Sequence, residues 1–171
     1  MILNDLLTQR TILFDGAMGT RLQTLGLPPG HPPEEWNLSH PAEVFQVHQE
    51  YVDGGSQIIE TNTFGANRIR LKRYALASRI RDLNQEGAHL AREAAGDRVI
   101  PAASLGPTGE FLEPYGDLTP EVVLDTYREQ VQILRESGIE LFHLETFSYS
   151  GEALLACQAV REAGGEVIAS F

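Results

Sequence analysis

Three carboxylates in this 171-residue sequence follow short apolar runs, and they are the first candidates for chemistry. Asp15 follows ILF in ILFDGAMGT, Glu60 follows QII in QIIETNTFGAN, and Glu145 follows LFHL in LFHLETFSYSG. A carboxylate at the end of a buried segment loses hydration, so it needs either a partner or a functional reason to be there. These three positions therefore define a candidate site.

Paired carboxylates suggest two chemistries, and their spacing in the sequence leaves both open. One is general acid/base catalysis, as in glycosidases. The other is binding of a ligand's ammonium group, with backbone amides near Gly16 and Ala17 receiving its carboxylate at the start of a helix. The second arrangement describes an amino-acid site. Structural alternatives are that Asp15 caps the following helix and that Glu60 only forms a salt bridge or a cap in the mouth.

The histidines and the single cysteine do not predict a metal site. His143 lies two residues before Glu145 and shares its strand face, but a lone strand histidine is more often a core residue than a ligand. Cys157 stands at helical spacing with Ala153 and Val160, which is typical of a small buried residue. The other four histidines have no ligand-like spacing among themselves.

Composition narrows the class of protein. Apolar content of 42% and charged content of 22% are ordinary for one globular domain, whereas a net charge of −11 disfavours a nucleic-acid binder. One cysteine excludes a disulfide framework. The sequence has no signal peptide and no apolar run of membrane-spanning length, so we expect a cytoplasmic protein that does not bind membranes.

The hydrophobic pattern alternates short strands with helices. The predicted strands are 11–14, 56–60, 98–103, 140–144 and 167–171. The predicted helices are 3–9, 17–25, a long helix that Ser39 caps and Gly54 ends, 66–74, 78–95, 120–137 and 151–163. Thr119 is predicted to cap the sixth of these helices, with Pro120 in its first turn.

This alternation predicts an α/β fold with a parallel sheet, either doubly wound or a (β/α)8 barrel. Polar residues recur at the carboxyl ends of the strands, which in a barrel converge on one mouth. No strand is followed by a GxGxxG motif, which weakens the dinucleotide-binding alternative. We therefore predict that residues 1–171 form the N-terminal portion, about five βα units, of a (β/α)8 TIM barrel.

Four segments, in this order, resemble the homocysteine S-methyltransferase family: ILFDGAMGT, WNLSHPAEVFQVHQEYVDGGSQIIETNTFGAN, ASLGPTG and ELFHLETFSYSGEA. The resemblance spans essentially the whole chain. It is greatest to the methylfolate-linked methionine synthase branch, including forms fused to methylenetetrahydrofolate reductase. It implies a (β/α)8 barrel that binds L-homocysteine at its C-terminal mouth and transfers a methyl group to the sulfur, giving methionine.

The resemblance also assigns residues. It implies that Asp15 and Glu145 bind the amino group of homocysteine and that backbone amides around Gly16 and Ala17 bind its carboxylate. Two further positions implied in the pocket wall are Asn62 and Thr63. Glu60 stays unassigned.

The family's reaction needs a zinc ion that binds the homocysteine sulfur as a thiolate. Its ligands are cysteines in an Asn-Cys segment and a Gly-rich Cys-Cys segment, and this sequence contains neither. The resemblance therefore implies zinc ligands C-terminal to Phe171, and no catalytic or metal-binding residue within 1–171. The chain would be the amino-acid-binding half of its domain, inactive alone, truncated before the zinc-ligand cysteines.

Further partners follow from the resemblance: the remaining half of the barrel, and methylfolate or methylcobalamin as methyl donor through other domains. Two alternatives stay open at this point. The chain is a non-catalytic fragment or assembly partner, or it is an unrelated TIM-barrel enzyme that binds an anionic ligand at the DGAMGT turn.

Overall fold

A parallel sheet forms the centre of the molecule in the computed structural model, which describes Thr8 and residues 11–171. Its four strands are β1 (Ile58–Glu60), β2 (Ile100–Leu105), β3 (Leu141–Leu144) and β4 (Glu166–Ala169). Each strand pairs with the next one along the chain, in the order β1-β2-β3-β4. This order never reverses among the described strands, as expected for a barrel wall and not for a doubly wound sheet.

Seven α-helices connect and cover these strands in the described residues. They are α1 (Met18–Thr24), α2 (Trp36–Ser39), α3 (Pro41–Asp53), α4 (Arg68–Lys72), α5 (Ile80–Ala95), α6 (Pro120–Glu136) and α7 (Ser150–Glu162), with 3₁₀ turns at Pro33–Glu35 and Ala77–Arg79. None of the helices in this part of the chain is both long and apolar enough to cross a membrane.

The predicted strand at 11–14 is wrong as a regular strand. Only one isolated bridge remains, between Phe14 and Ile58, with backbone hydrogen bonds from Asp15 to Ile58 and from Gln57 to Leu13 at 3.0 and 2.8 Å. Its neighbour β1 is three residues long, so it offers little ladder to pair with. The segment nevertheless lies beside β1, where a first barrel strand belongs.

Other boundaries shift by a few residues. The third predicted strand extends to Leu105, so Ser104 lies within β2 and not after it. Helix 66–74 is shorter than predicted, at Arg68–Lys72. The predicted opening helix at 3–9 lies outside the described residues apart from Thr8, which is in a turn.

Of the two predicted helix caps, one is confirmed and one is wrong. Thr119 accepts a hydrogen bond from the backbone amide of Val122 at the start of α6, as predicted. Ser39 does not cap α3, because residues 36–39 form the separate turn α2 and His40 occupies the cap position without a side-chain bond. The hydroxyl of Ser39 instead donates to Glu35 Oε2 at 2.8 Å.

Side chains alternate between two faces of the sheet. On one face a large cluster packs beneath α6 and α7, and it includes Phe142, Tyr127 and Phe147, with the partly buried Cys157 against it. The opposite face carries Ile58, Ala102 and Leu141, with Phe14 and Ile168 beside them. This second face corresponds to the barrel interior, and it continues toward the carboxyl ends of the strands as polar residues.

Candidate functional site

A cavity of about 650 Å³ opens at the carboxyl ends of the strands. Its wall combines the segment after Phe14, the loop before α2, the loop after β1, Ser104, and the end of β3. All three carboxylates singled out in the sequence line it, namely Asp15, Glu60 and Glu145. The strand ends therefore bring together residues that are up to 130 positions apart, as the barrel prediction expects.

Asp15 lies at the floor of this pocket without capping a helix. Its Oδ2 accepts a hydrogen bond from the backbone amide of Glu60 at 2.8 Å, whereas Ala17 occupies the N-cap position of α1 and no side chain caps that helix. Its Oδ1 is buried and has no partner among the described residues. Burial raises the pKa of Asp15 to about 7, and the charges of Glu60 and Glu145 act in the same direction.

Glu145 faces the same pocket from the end of β3. The hydroxyl of Ser104 on β2 donates to its Oε1, so one carboxylate oxygen is already partnered. Burial raises the pKa of Glu145, and the charge of Glu60 adds to this effect. Thr146 follows with a φ of 64°, a left-handed conformation that is uncommon for a threonine and that turns the chain sharply after the strand.

Glu60 pairs with His143, whose sequence context predicts a core residue. The Glu60 Oε1 to His143 Nδ1 distance is 2.5 Å, and the two side chains are 17% and 15% exposed. On the other side of the ring, His143 Nε2 lies 3.0 Å from the hydroxyl of Ser170. Burial alone lowers the pKa of His143, but the hydrogen bond and charge of Glu60 outweigh it, so this pKa is raised.

Gly16 and Ala17 form an exposed stretch of pocket wall between Asp15 and α1. Tyr51 of α3 supports this stretch, because its hydroxyl donates to the carbonyl of Ala17 at 3.2 Å. A Cβ atom at position 16 would lie 2.8 Å from the Tyr51 hydroxyl oxygen, so a larger residue here would displace the Tyr51 ring from the carbonyl of Ala17. Backbone amides in such a stretch are accessible to a ligand.

The two predicted wall residues after β1 differ in position. Asn62 lines the pocket, although its Nδ2 is committed to Pro33 O and Asn37 Oδ1, each at 2.8 Å. Thr63 is fully buried behind the wall, and its hydroxyl donates to the carbonyl of Ser104 at 2.9 Å. Both side chains therefore shape the loop 61–67, whereas neither offers a free donor group toward the cavity.

Buried amide side chains support this loop from three helices. Asn37 of α2 donates to the carbonyl of Asn62 at 2.8 Å, and Asn84 of α5 donates to that of Ala66 at 2.9 Å. Gln130 of α6 donates to the carbonyl of Thr63 at 2.9 Å. This amide network holds irregular backbone in place at the pocket wall.

Sequence reasoning missed a second set of wall residues on the outer side of the pocket. Glu34 is 3% exposed and accepts a hydrogen bond from the amide of Gly65, and burial raises its pKa. Arg70 places its guanidinium 4.9 Å from the centre of the Phe64 ring. The stretch LPPGHPPEEW indicates only a loop, and nothing in it signals that Glu34 turns inward.

The pocket does not fit the thiolate-ligated zinc that the resemblance implies. The lining contains no cysteine among the described residues, and Cys157 packs against the helical core. Glu60, His143 and Glu145 offer atoms within 4.8 Å of one another, but both ring nitrogens of His143 and one oxygen of Glu145 already have protein partners. These residues form a hydrogen-bonded cluster, and we assign no metal to them.

Comparison with known proteins gives a consistent family. Residues 12–171 match the family profile described as homocysteine S-methyltransferase. The methionine synthases of Mycobacterium tuberculosis (strain ATCC 25618 / H37Rv) and Mycobacterium leprae (strain TN) are each 35% identical over 156 residues, which cover 83% of this chain. The chain spans only 13% of the length of these relatives.

Solved structures give the same fold. The metallated form of the Escherichia coli homocysteine methyltransferase MmuM aligns with a TM-score of 0.84 at 23% identity, over 99% of this chain and 66% of that one. Its apo form aligns with a TM-score of 0.72 at the same identity, over 97% and 61%. These alignments, with the sheet order, confirm the predicted N-terminal portion of a TIM barrel.

Proposed function

We propose, from the premise that this chain belongs to the homocysteine S-methyltransferase family, that its pocket binds the amino-acid part of L-homocysteine. The observation that carries this proposal is the convergence of Asp15 and Glu145 on one cavity. Both carboxylates have a raised pKa, so an ammonium group bound between them would be favourable. The proposal agrees with the amino-acid alternative drawn from the sequence, and the glycosidase alternative has no comparable support.

The amino group and the carboxylate of homocysteine would contact different parts of the pocket. Oδ1 of Asp15 is the acceptor without a protein partner, so it is the natural receiver of an ammonium hydrogen. Glu145, oriented by Ser104, would provide the second charge. The backbone amides around Gly16 and Ala17 would receive the substrate carboxylate, since this stretch lies against the pocket next to Asp15. The side chain of homocysteine would then extend toward the open mouth.

We propose methyl transfer to the homocysteine sulfur as the reaction of the complete domain. Zinc, when bound, would keep this sulfur as the nucleophilic thiolate. Because the described residues of this pocket offer no thiolate ligand, we place the zinc ligands outside 1–171. In this proposal, the present chain binds and orients the amino acid, and methylfolate- or methylcobalamin-binding parts elsewhere select the methyl donor.

Calorimetry with L-homocysteine tests the binding proposal. Asp15→Asn keeps the shape and the acceptor oxygen but removes the charge, so we expect a 10- to 100-fold weaker affinity, about the effect of losing a charged hydrogen-bond partner. Asp97→Asn, at an exposed aspartate outside the pocket, is the matched control and should bind as the wild type does. Equal affinity of wild type and Asp15→Asn would contradict the assignment.

A second candidate is a non-catalytic fragment or assembly partner, which the outer edge of β4 favours because no described strand pairs with it. Elemental analysis of the purified chain bears on both candidates. We expect no tightly bound zinc in the chain alone. Stoichiometric zinc that survives dialysis against a chelator would contradict the placement of the ligands outside this chain.

A further inference from the structure

Four titratable groups from three segments lie close together at the floor of the pocket. They are Asp15, Glu60, His143 and Glu145. Three of them are carboxyl groups. The described lining contains a single arginine or lysine, Arg70, and its guanidinium packs against Phe64 and lies 3.5 Å from the carbonyl oxygen of Pro107. The floor therefore concentrates negative charge, and His143 is the cationic group able to balance it in place.

His143 is fixed in its orientation from three sides. Nδ1 faces Glu60 at 2.5 Å and Nε2 faces the Ser170 hydroxyl at 3.0 Å. The ring of Phe14 lies against it, with centroids 5.4 Å apart at 56°. The Glu60 carboxylate accepts the hydrogen of Nδ1, and the Ser170 hydroxyl can either accept a hydrogen from Nε2 or donate one to it, so these partners accommodate the imidazolium as well as the neutral ring.

Glu60 connects this pair to the proposed substrate ligands. Its side chain binds His143, while its backbone amide donates to Asp15 Oδ2 at 2.8 Å. The contact is possible because β2, which lies between β1 and β3, presents the small residues Ala102 and Ser104 to this face. Ser104 in turn donates to Glu145. Hydrogen bonds therefore join Asp15, Glu60 and His143, whereas Glu145 is held beside them by Ser104 of the intervening strand.

We infer that His143 and Glu60 are positioning residues, an internal ion pair that cancels the charge of Glu60 so that Asp15 and Glu145 can both be ionised when the substrate ammonium arrives. The inference rests on the proposed homocysteine site and adds two residues to it. The proposed role requires no contact between the pair and the reacting sulfur. Its effect is electrostatic, through the two carboxylates beside it.

Every charged group near His143 acts consistently with this role. Glu60 on β1, Asp15 on the bridge segment and Glu145 after β3 all favour the charged imidazole, and Ser170 beyond β4 is neutral. Of the remaining titratable neighbours, Tyr51 lies beside Asp15. Others on the pocket wall, at the outer side, are His31, Glu34, Arg70 and Tyr74.

Removing the charge of His143 and removing the charge of Glu60 should shift the pKa of Asp15 in opposite directions. Without the imidazolium, the charge of Glu60 is unbalanced, which raises the pKa of Asp15 further and leaves less of it ionised at neutral pH. Without the Glu60 charge, the repulsion that Asp15 experiences is smaller, and its pKa falls. Removing both charges returns the pKa of Asp15 to near its wild-type value.

The test uses His143→Asn, Glu60→Gln and the double variant. Asparagine places an amide nitrogen near the position of Nδ1 and glutamine keeps the length of Glu60, so both changes remove charge while preserving polarity. His89→Asn is the matched control, since the His89 side chain is 62% exposed on α5. Ser170→Ala, which removes only the Nε2 partner, is the milder variant if His143→Asn does not fold.

Two readouts are recorded in a buffer containing a chelator. Carboxyl NMR follows the titration of Asp15 without ligand, and calorimetry gives homocysteine affinity between pH 5 and 8. We expect the Asp15 midpoint to rise by about one pH unit in His143→Asn and to fall by a similar amount in Glu60→Gln. The pH at which homocysteine affinity falls on acidification should move in the same direction as the Asp15 midpoint in each single variant. The double variant should resemble the wild type in both measurements.

The outcomes separate this inference from the proposed function. Shifts of the Asp15 midpoint as described, with no homocysteine binding by the wild type, would support the ion pair and contradict the substrate. Binding by the wild type with both single variants shifted in the same direction, or unshifted, would overturn the ion pair alone. A divalent cation bound tightly at these residues in the wild type would also overturn it.

Discussion

At the scale of the residue, Asp15 is buried in a way that lowers the stability of the ligand-free protein. Its pKa is raised to about 7 because the carboxyl group is buried beside two other acids, and one of its oxygens has no partner among the described residues. In the unfolded chain the same group would titrate near its ordinary value of 3.8. Ionising Asp15 in the folded, ligand-free protein is therefore unfavourable, and a bound ammonium group would reverse that penalty.

This predicts a pH-dependent stability difference for Asp15→Asn. Because the folded-state pKa is raised, the contribution of Asp15 to stability is fully present below about pH 4 and is lost as the pH rises through about 7. The asparagine has no such loss, so the variant should unfold at a higher temperature than the wild type at pH 8 and at a similar temperature at pH 4.

Thermal unfolding followed by circular dichroism at the two pH values measures this difference. Asp97→Asn should show neither the gain at pH 8 nor any change in its pH dependence. If Asp15→Asn were less stable than the wild type at pH 8, the burial penalty assigned to Asp15 would be incorrect.

The sequence was informative about residues that follow apolar runs and uninformative about how they pair. Asp15, Glu60 and Glu145 could be selected as candidates because each carboxylate directly follows an apolar run. The Glu60–His143 contact could not, because it joins β1 to β3 across an intervening strand and depends on small side chains at Ala102 and Ser104. Only the register of the sheet reveals that contact.

At the scale of the element, Gly87 shows that helix propensity is secondary to packing. It lies inside α5, where alanine would normally be the better helix former. A Cβ atom here would approach Asn37 Nδ2 and Thr63 Cγ2 to 2.7 Å each. Those atoms belong to the buried residues around loop 61–67. Because Gly87 has no side chain, α5 can pack closely against this part of the pocket wall.

We therefore expect Gly87→Ala to lower the free energy of unfolding in urea by about 1–3 kcal/mol, the usual effect of overpacking a buried site. Gly151→Ala in α7 is the matched control. The three atoms nearest to its Cβ would all belong to the outer end of the Tyr149 ring, and because this residue is 47% exposed the ring can turn toward solvent, so the effect should be small or stabilising. Equal effects of the two changes would contradict this packing argument.

Element prediction succeeded where periodicity was strong. Helices α5, α6 and α7 were located within one or two residues at most of their ends because each has a continuous buried face. The strand at 11–14 was overestimated, since an apolar run does not reveal that its partner strand has only three residues. The separate turn α2 was missed because its four residues are too short for any periodic signal.

At the scale of the whole molecule, β4 is paired on one side only among the strands that the structure describes. Glu166 and Ser170 donate their backbone hydrogens inward, to Glu140 and Leu144 of the preceding strand segment. By alternation, the backbone hydrogens of Val167 and Ala169 point outward. An edge of this kind is a template for pairing with another chain.

This predicts concentration-dependent self-association of the 171-residue chain through β4. Ala169→Pro removes one outward hydrogen and should shift the average mass in light scattering toward the monomer, with little change in stability. Ile168→Pro, its neighbour, removes an inward hydrogen and should instead destabilise the fold. A wild-type chain that stays monomeric at the highest attainable concentration would contradict the prediction.

The amide network around loop 61–67 has a kinetic consequence. The loop has no regular secondary structure, yet its carbonyls are bound by side chains from three helices, and the amide of Gly65 donates to the buried Glu34. Breaking those bonds requires α5 and α6 to separate from the loop. In hydrogen–deuterium exchange, Gly65 and Ala66 should therefore exchange as slowly as the helical interior, through global opening of the domain, although their backbone conformation is that of a loop.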